Sequence, residues 1–299
     1  MILMKNVSKA YENVYALNDV NLSIDKGSIY GLIGSNGAGK TTLLKIMSGI
    51  YKQDRGSALV ESEPVFENVD IKSKLIFIPD NPYFFPQYTI DDMAKFYMNV
   101  YESFSSERYK KLKDVFKIGT NKKISSLSKG MKRQVAFWLA LSIMPEILVL
   151  DEPLDGLDPV MRQKVKNLVI QDVADREMTV VISSHNLREL EDMCDHIGIL
   201  HKGNVIVEKD IDDLKSDVHK IQVAFKEDIP DEFYNNLNIV YKEERSSVRI
   251  FVVKGYKDEI IKHFKQYNPL VLDILPLTLE EIFIYEMGDV GYEAKNIIF

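Results

Sequence analysis

Gly34-Ser35-Asn36-Gly37-Ala38-Gly39-Lys40-Thr41 fits the pattern GxxxxGK[ST] and stands between two segments of different texture. Upstream, residues 28–33 form a compact apolar run of strand character. Downstream, residues 41–50 carry Leu43, Ile46 and Met47 at helical spacing. Strand, glycine loop, helix is the order that a phosphate cradle requires. Glycines let the backbone curl so that successive N–H groups converge on an anion, at the positive end of the helix that follows. In this reading Ser35, Asn36, Gly37, Ala38, Gly39, Lys40, Thr41 and Thr42 surround a polyphosphate. Lys40 reaches the outer phosphates and the Thr41 hydroxyl ligates Mg2+. A glycine turn without a ligand is the competing reading, and the flanking strand and helix weigh against it.

Outward from the loop, the pattern alternates between strand and helix. Short apolar runs predict strands within 2–33, with a turn at Asp25-Lys26-Gly27, and again at 75–78, 147–150 and 179–183. Helical spacing begins at Thr89, where Thr89 and Asp92 are placed as a cap. Met93, Phe96, Tyr97, Val100, Tyr101 and Phe104 are expected on one face of that helix. Further helices are expected over 106–116, over 130–143, and after the Asp158-Pro159 start signal, whose apolar face is Met161, Val165, Leu168, Val169 and Val173. This alternation predicts an α/β fold built on a parallel sheet. After about Ser216 the texture changes to short strands (219–225, 248–253, 270–274) with helices over 257–267 and 279–287. The expected organisation is a first domain over 1–216 and a small α+β domain over 217–299.

Composition narrows the function classes. With 38 basic and 45 acidic side chains the formal charge is −7, which argues against a broad nucleic-acid-binding surface. An apolar content of 45% suffices for a full hydrophobic core. The single cysteine, Cys194, excludes an internal disulfide framework and fits a reducing compartment. Cys194 and the lone Trp138 are expected on helical apolar faces in the core. The most apolar stretch, 135–150, is broken by Ser142, Pro145 and Glu146, so no spanning helix is expected, and the N-terminal residues predict no secretory leader.

A second chemical element is Ile147-Leu148-Val149-Leu150-Asp151-Glu152, a buried strand ending in two carboxylates. At such a strand end Asp151 holds Mg2+, and Glu152 orients and polarises an attacking water. An apolar strand ending in acids is common by itself and gains its meaning from the phosphate loop. The third element is Leu127-Ser128-Lys129-Gly130-Met131-Lys132-Arg133-Gln134, just ahead of a helix. At this point the chain resembles the ATP-binding cassette (ABC) family, specifically the nucleotide-binding subunit of a transporter. The phosphate loop at 34–41, the LSxG element at 127–130 and Asp151-Glu152-Pro153 stand in the family's order. Gly156-Leu157-Asp158 is similar to its D-loop, and His185 to its switch histidine. Together the motifs cover roughly residues 1–215.

The resemblance implies a P-loop cassette with a parallel-sheet core, an antiparallel β subdomain and a helical subdomain. It implies ATP and Mg2+ as ligands, with Glu152 and His185 in catalysis and Thr41, Asp80 and Asp151 at the metal. Ser128, Gly130 and Asp158 would close on ATP held by a second cassette, in a head-to-tail dimer that is either a homodimer or a pair of paralogues. Tyr11 corresponds to the adenine-stacking aromatic, packing being its alternative role. A separately encoded membrane permease is the implied partner, with the chain cytoplasmic and peripheral on the inner face of the cell membrane, and no nucleic acid. Leu277 to Phe283 resembles the tail of bacterial drug- and peptide-export cassettes, which favours export of a peptide, antibiotic or lipid-like cargo.

Two departures stand out. The LSxG element reads LSKGM where LSGGQ is usual, and Asp80 occupies the place of a glutamine. Tyr83, Phe84 and Phe85 beside it are either core or a groove for a short helix of the permease. Rival readings are a cassette ATPase acting on ribosomes or DNA, and a P-loop GTPase. Against the first stand a single phosphate loop and no sustained heptads. Against the second, Asn121-Lys122-Lys123-Ile124 lacks the acid of a guanine reader.

Overall fold

The computed structural model describes residues 2–226, 229–245 and 247–282. Contacts divide the chain between Glu208 and Lys209 into two compact units. The first opens with β1 (Ile2–Tyr11) and β2 (Val14–Ile24), an antiparallel pair. Val20, Leu22 and Ile24 of β2 alternate into the core, as a sheet with one wet face requires. β3 (Ile29–Ile33) is buried along its whole length, as suits a central parallel strand, and leads through the glycine loop into α1 (Lys40–Met47). β4 (Arg55–Val60) and β5 (Glu63–Pro64) complete an antiparallel sheet in the order β2-β1-β4-β5. After α2 (Val69–Lys74), β6 (Leu75–Ile78) enters the second sheet.

Three helices follow: α3 (Ile90–Val100), α4 (Ser106–Phe116) and α5 (Lys129–Ser142). Thr89 and Asp92 close a reciprocal capping box at the start of α3. The first turns of α3 bury Ile90, Met93 and Ala94, whereas Phe96 and Val100 are exposed, so the expected single apolar face is divided. Tyr97 and Tyr101 turn instead to a groove beside β6. Trp138 of α5 lies in the core as expected, stacked 4.9 Å from Tyr109 and 6.1 Å from Phe116. Its indole N–H donates to the Tyr109 carbonyl at 2.9 Å, so the one polar atom of the ring is satisfied.

Next come β7 (Ile147–Asp151), α6 (Pro159–Arg176), β8 (Thr179–Ser184), α7 (Leu187–Glu191), β9 (His196–His201) and β10 (Asn204–Asp210). The second sheet runs β10-β9-β3-β8-β7-β6, with β9, β3, β8, β7 and β6 mutually parallel. Loop 34–41, the β7 end and the β8 end therefore share one edge, where open α/β sheets bind ligands. Cys194 is buried but sits in the turn before β9 rather than on a helix, since α7 stops at Glu191.

The second unit holds α8 (Ile211–Asp217), β11 (Val218–Ala224), β12 (Asn238–Arg245), β13 (Val248–Lys254), α9 (Lys257–Lys265) and β14 (Val271–Leu275). Its antiparallel sheet, β12-β13-β11-β14, carries a core of Ile221, Val223, Phe233, Phe251 and Phe264. α8 packs on β11, which draws the change of unit ahead of the 216/217 change in texture. β12 escapes the sequence reading because Lys242, Glu243 and Glu244 mask an edge strand behind a charged string. Residues 279–282 are helical, and the rest of the helix expected over 279–287, with Phe283, lies outside the described residues. Among the described residues no helix is long and apolar enough to cross a membrane. Trp138→Ala is expected to destabilise the first unit by about 3–5 kcal/mol through the cavity it leaves, read from urea denaturation followed by circular dichroism.

Candidate functional site

The loop after β3 is shaped by close approach and by backbone sign. A side chain at Gly34 would stand 2.5 Å from the Leu200 carbonyl oxygen, and one at Gly39 would stand 2.4 Å from that of Ala16. Gly37 and Gly39 also have φ of 81° and 111°, which L side chains avoid. Gly39 caps α1, whose first turn holds no acidic residue, so its free N–H groups and positive dipole end face the loop interior. Ala38 is buried, with its N–H on the Ser35 carbonyl, while Asn36, Gly37 and Thr41 lie at the surface and Ser35 and Thr42 are half-buried. The Lys40 ammonium folds over this cradle. It donates to the Gly34 carbonyl at 2.6 Å and stands 3.1 Å from the Glu152 Oε1.

The strand register brings the acids to the loop. Asp151 lies opposite Ser183 in the parallel β7–β8 ladder. The Ser183 hydroxyl donates to Asp151 Oδ1 at 2.8 Å and accepts the Glu152 N–H at 3.0 Å. Thr41 Oγ1 donates to Asp151 Oδ2 at 2.7 Å, so the loop, β7 and β8 meet at one buried carboxylate. Glu152 adopts φ 47°, left-handed backbone on a non-glycine residue. Its carboxylate is mostly buried and lies between Lys40 and His185, whose Nδ1 is 2.9 Å from Oε2. The Thr41 hydroxyl and the Asp151 carboxylate offer a hard-oxygen donor set, the kind Mg2+ takes alongside phosphate oxygens.

Ser128, Gly130 and Asp158, expected to close on ATP held by a second cassette, and Tyr11 lie apart from this junction. Ser128 caps α5, its hydroxyl accepting the Met131 N–H at 3.2 Å. Gly130 lies against Gly156, where a Cβ would meet the carbonyl oxygen at 2.6 Å. Asp158 caps α6 through the Val160 and Met161 N–H groups. Tyr11 is 45% exposed and meets Tyr51 edge-on at 6.5 Å. The expectation that Asp80 stands with the metal ligands meets a different geometry. Its Oδ1 takes a hydrogen bond from Arg133 Nη2 at 2.6 Å and lies 3.7 Å from the Lys129 ammonium, while Thr41 and Asp151 bond each other.

Sequence reasoning missed three residues. Ser183 was one small polar residue at the end of a β-branched run. Asp155 brings a ligand atom within 4.8 Å of those of Glu152 and His185. Arg133 is fully buried and donates to the backbone carbonyls of Glu152 and Asp155, and in the sequence it is only the last of three basic residues ahead of the apolar run 135–141.

Comparison with known proteins agrees with this geometry. The sequence profile of the ABC transporter family matches residues 17–155. The ABC transporter ATP-binding protein YtrB of Bacillus subtilis (strain 168) is 33% identical over 295 residues, covering 96% of this chain and 98% of that protein. The bacitracin transport ATP-binding protein BcrA of Bacillus licheniformis is 27% identical over 94% of both chains. Among solved structures, a dimeric bacterial ABC transporter cassette superposes with a TM-score of 0.65 at 26% identity, covering 71% of this chain and 99% of that one. The chain belongs to the ABC transporter ATP-binding family. It binds ATP and is the ATPase subunit of a transporter, which removes the readings of a GTPase and of a cassette acting on ribosomes or DNA. Gly39→Ala combines a steric clash with a forbidden φ, and is expected to cost about 1–3 kcal/mol locally and to abolish ATP binding in a fluorescent-nucleotide titration.

Proposed function

We propose that this chain hydrolyses ATP with Glu152 as the general base and His185 as its partner, and that the cycle drives export through a separate membrane permease. The observation that carries the reading is the Glu152 carboxylate, held at the end of β7 between Lys40 and His185. Glu152 takes the proton as water attacks the γ-phosphorus and the bond to the β-phosphate oxygen breaks. His185 orients that water, and Lys40 turns from the Gly34 carbonyl to the phosphates. Thr41 and Asp151 would hold Mg2+, which supplies charge neutralisation on the phosphate oxygens when bound. Ser183 keeps Asp151 aimed by donating to its Oδ1. The Tyr11 ring, half exposed at the surface, stacks on adenine.

The rest of the cycle needs a second cassette, in a homodimer or with a paralogue. The Ser128 hydroxyl and the first N–H groups of α5 form an anion site, with Gly130 letting the backbone close in. In a head-to-tail pair this site and Asp158 meet the γ-phosphate held by the other cassette. ATP binding closes the pair and hydrolysis reopens it, a ligand-driven closure that the permease turns into transport. A cavity of about 250 Å³, walled by Pro79, Tyr83, Phe84, Tyr97 and Tyr101, receives a short helix of that permease. The chain thus works at the inner face of the cell membrane. Two relatives named for bacitracin and lantibiotic transport support a peptide or antibiotic cargo.

Glu152→Gln is isosteric and keeps the hydrogen bonding of a side-chain amide but cannot accept the proton. ATP binding is expected to persist while turnover falls by about 10²–10⁴-fold, with the ATP-bound pair accumulating on size exclusion. Hydrolysis at the wild-type rate would remove Glu152 from the mechanism. Co-purification of this variant in mild detergent with ATP is expected to bring down a multi-span membrane protein in stoichiometric amount.

A further inference from the structure

Arg133 is a charged side chain with no exposed surface, in the second turn of α5. Burying a guanidinium is unfavourable unless it is paired and hydrogen-bonded, so its partners show what it is for. One nitrogen, Nη1, donates to the Glu152 carbonyl at 2.9 Å and to the Asp155 carbonyl. The other, Nη2, donates to the backbone carbonyl of Asp80 and to its Oδ1, the latter at 2.6 Å. One planar fork therefore spans the segments that follow the neighbouring parallel strands β6 and β7.

The backbone of Glu152 is held on both sides. Its left-handed φ of 47° is uncommon for a residue with a Cβ; Glu12, Glu61, Glu67 and Glu177 share that sign of φ at exposed positions, whereas Glu152 holds it directly after a buried strand. Both polar ends of the residue are pinned. The N–H is held by the Ser183 hydroxyl and the carbonyl by Arg133. With either pin gone, the backbone relaxes toward the right-handed or extended region and the carboxylate swings off the line between Lys40 and His185.

We infer that Arg133 is a positioning residue for ATP hydrolysis: its guanidinium locks the Glu152 backbone in the conformation that aims the carboxylate, and Asp80 is the counter-ion of that guanidinium. This rests on Glu152 being the general base. It gives Asp80 a task other than ligating a metal, because the carboxylate that neutralises Arg133 is already engaged. It also ties the loop that carries Tyr83 and Phe84 to the base through a single side chain. Arginine is required for this span, since a lysine ammonium keeps the charge but presents one nitrogen where two are used.

The test is steady-state ATPase kinetics on the full chain with Arg133→Lys, Asp80→Asn and Glu152→Gln, with nucleotide affinity measured separately. Arg133→Lys is expected to lower kcat roughly ten- to a hundredfold, the scale of a misplaced catalytic group, while KM and the affinity for ATP stay within about twofold. Asp80→Asn, at a half-exposed position that tolerates the amide, is expected to lower kcat about three- to tenfold without raising the Mg2+ concentration needed for half-maximal rate. Combined, the two changes should do no more than Arg133→Lys alone, because Asp80 acts through the guanidinium. A wild-type kcat in folded Arg133→Lys overturns the inference, and so does a fall in kcat matched by a loss of ATP affinity, which would mark a merely structural arginine. A raised Mg2+ requirement in Asp80→Asn would make Asp80 a metal ligand and overturn it as well. Should Arg133→Lys not fold, Asp80→Asn decides, its wild-type kcat counting against. Glu152→Gln separates the two claims: if it still turns over, the base assignment has failed, whereas if it is dead and Arg133→Lys is normal, only the positioning claim has.

Discussion

The hydroxyl of Ser183 holds two residues at once, donating to the Asp151 carboxylate and accepting the Glu152 N–H. It can do so because β7 and β8 are parallel and in a register that sets Asp151 opposite Ser183. Two further contacts complete the junction, the Thr41 hydroxyl on Asp151 and the Glu152 carboxylate beside Lys40. Shift that register by one residue and every side chain at the strand end changes face. The nucleotide site is thus a consequence of sheet register, with the glycine loop and the acids supplying the chemistry that the register aligns.

Charge is confined within this junction. The Lys40 ammonium is buried against loop carbonyls and one carboxylate, and Arg133 is buried against three backbone carbonyls and another. Each cation is bonded by partners that come from more than one element, with Arg133 Nε left without a hydrogen-bond partner. Such pairs are weak sources of net stability, because desolvation offsets much of the attraction. What they provide is specificity of position, since either cation without its partners would be far less favourable. The apolar layers behind them supply the stability: β3, β7 and β8, buried along their lengths, and the Tyr109–Trp138–Phe116 stack under α5.

The two units follow different physics. In the first, parallel strands buried on both faces read as continuous apolar runs, and helices between them announce themselves by caps such as Thr89 and Asp158. In the second, an antiparallel sheet packs its aromatic core around Phe233, which meets Phe251, Phe264 and Tyr267 at about right angles or tilted. There the pattern is weaker, and a charged edge strand, β12, was invisible beforehand because its outward residues carry no periodic signal.

Chemical type was legible in the residues alone. A GxxxxGK[ST] loop between strand and helix, an apolar strand ending in Asp151 and Glu152, and LSxG ahead of a helix each state a local requirement: curl, acid at a strand end, a capped anion site. Such requirements are met within a few residues, so the string carries them. The contacts between distant segments were another matter. That Ser183 bridges the two acids, that Asp155 approaches Glu152 and His185, and that Asp80 pairs with Arg133 depend on which strand ends lie side by side. Spacing along the chain holds no record of that. A serine in a β-branched run or an arginine in a helix acquires its partners only when parallel strands from positions 75, 147 and 179 are laid next to one another.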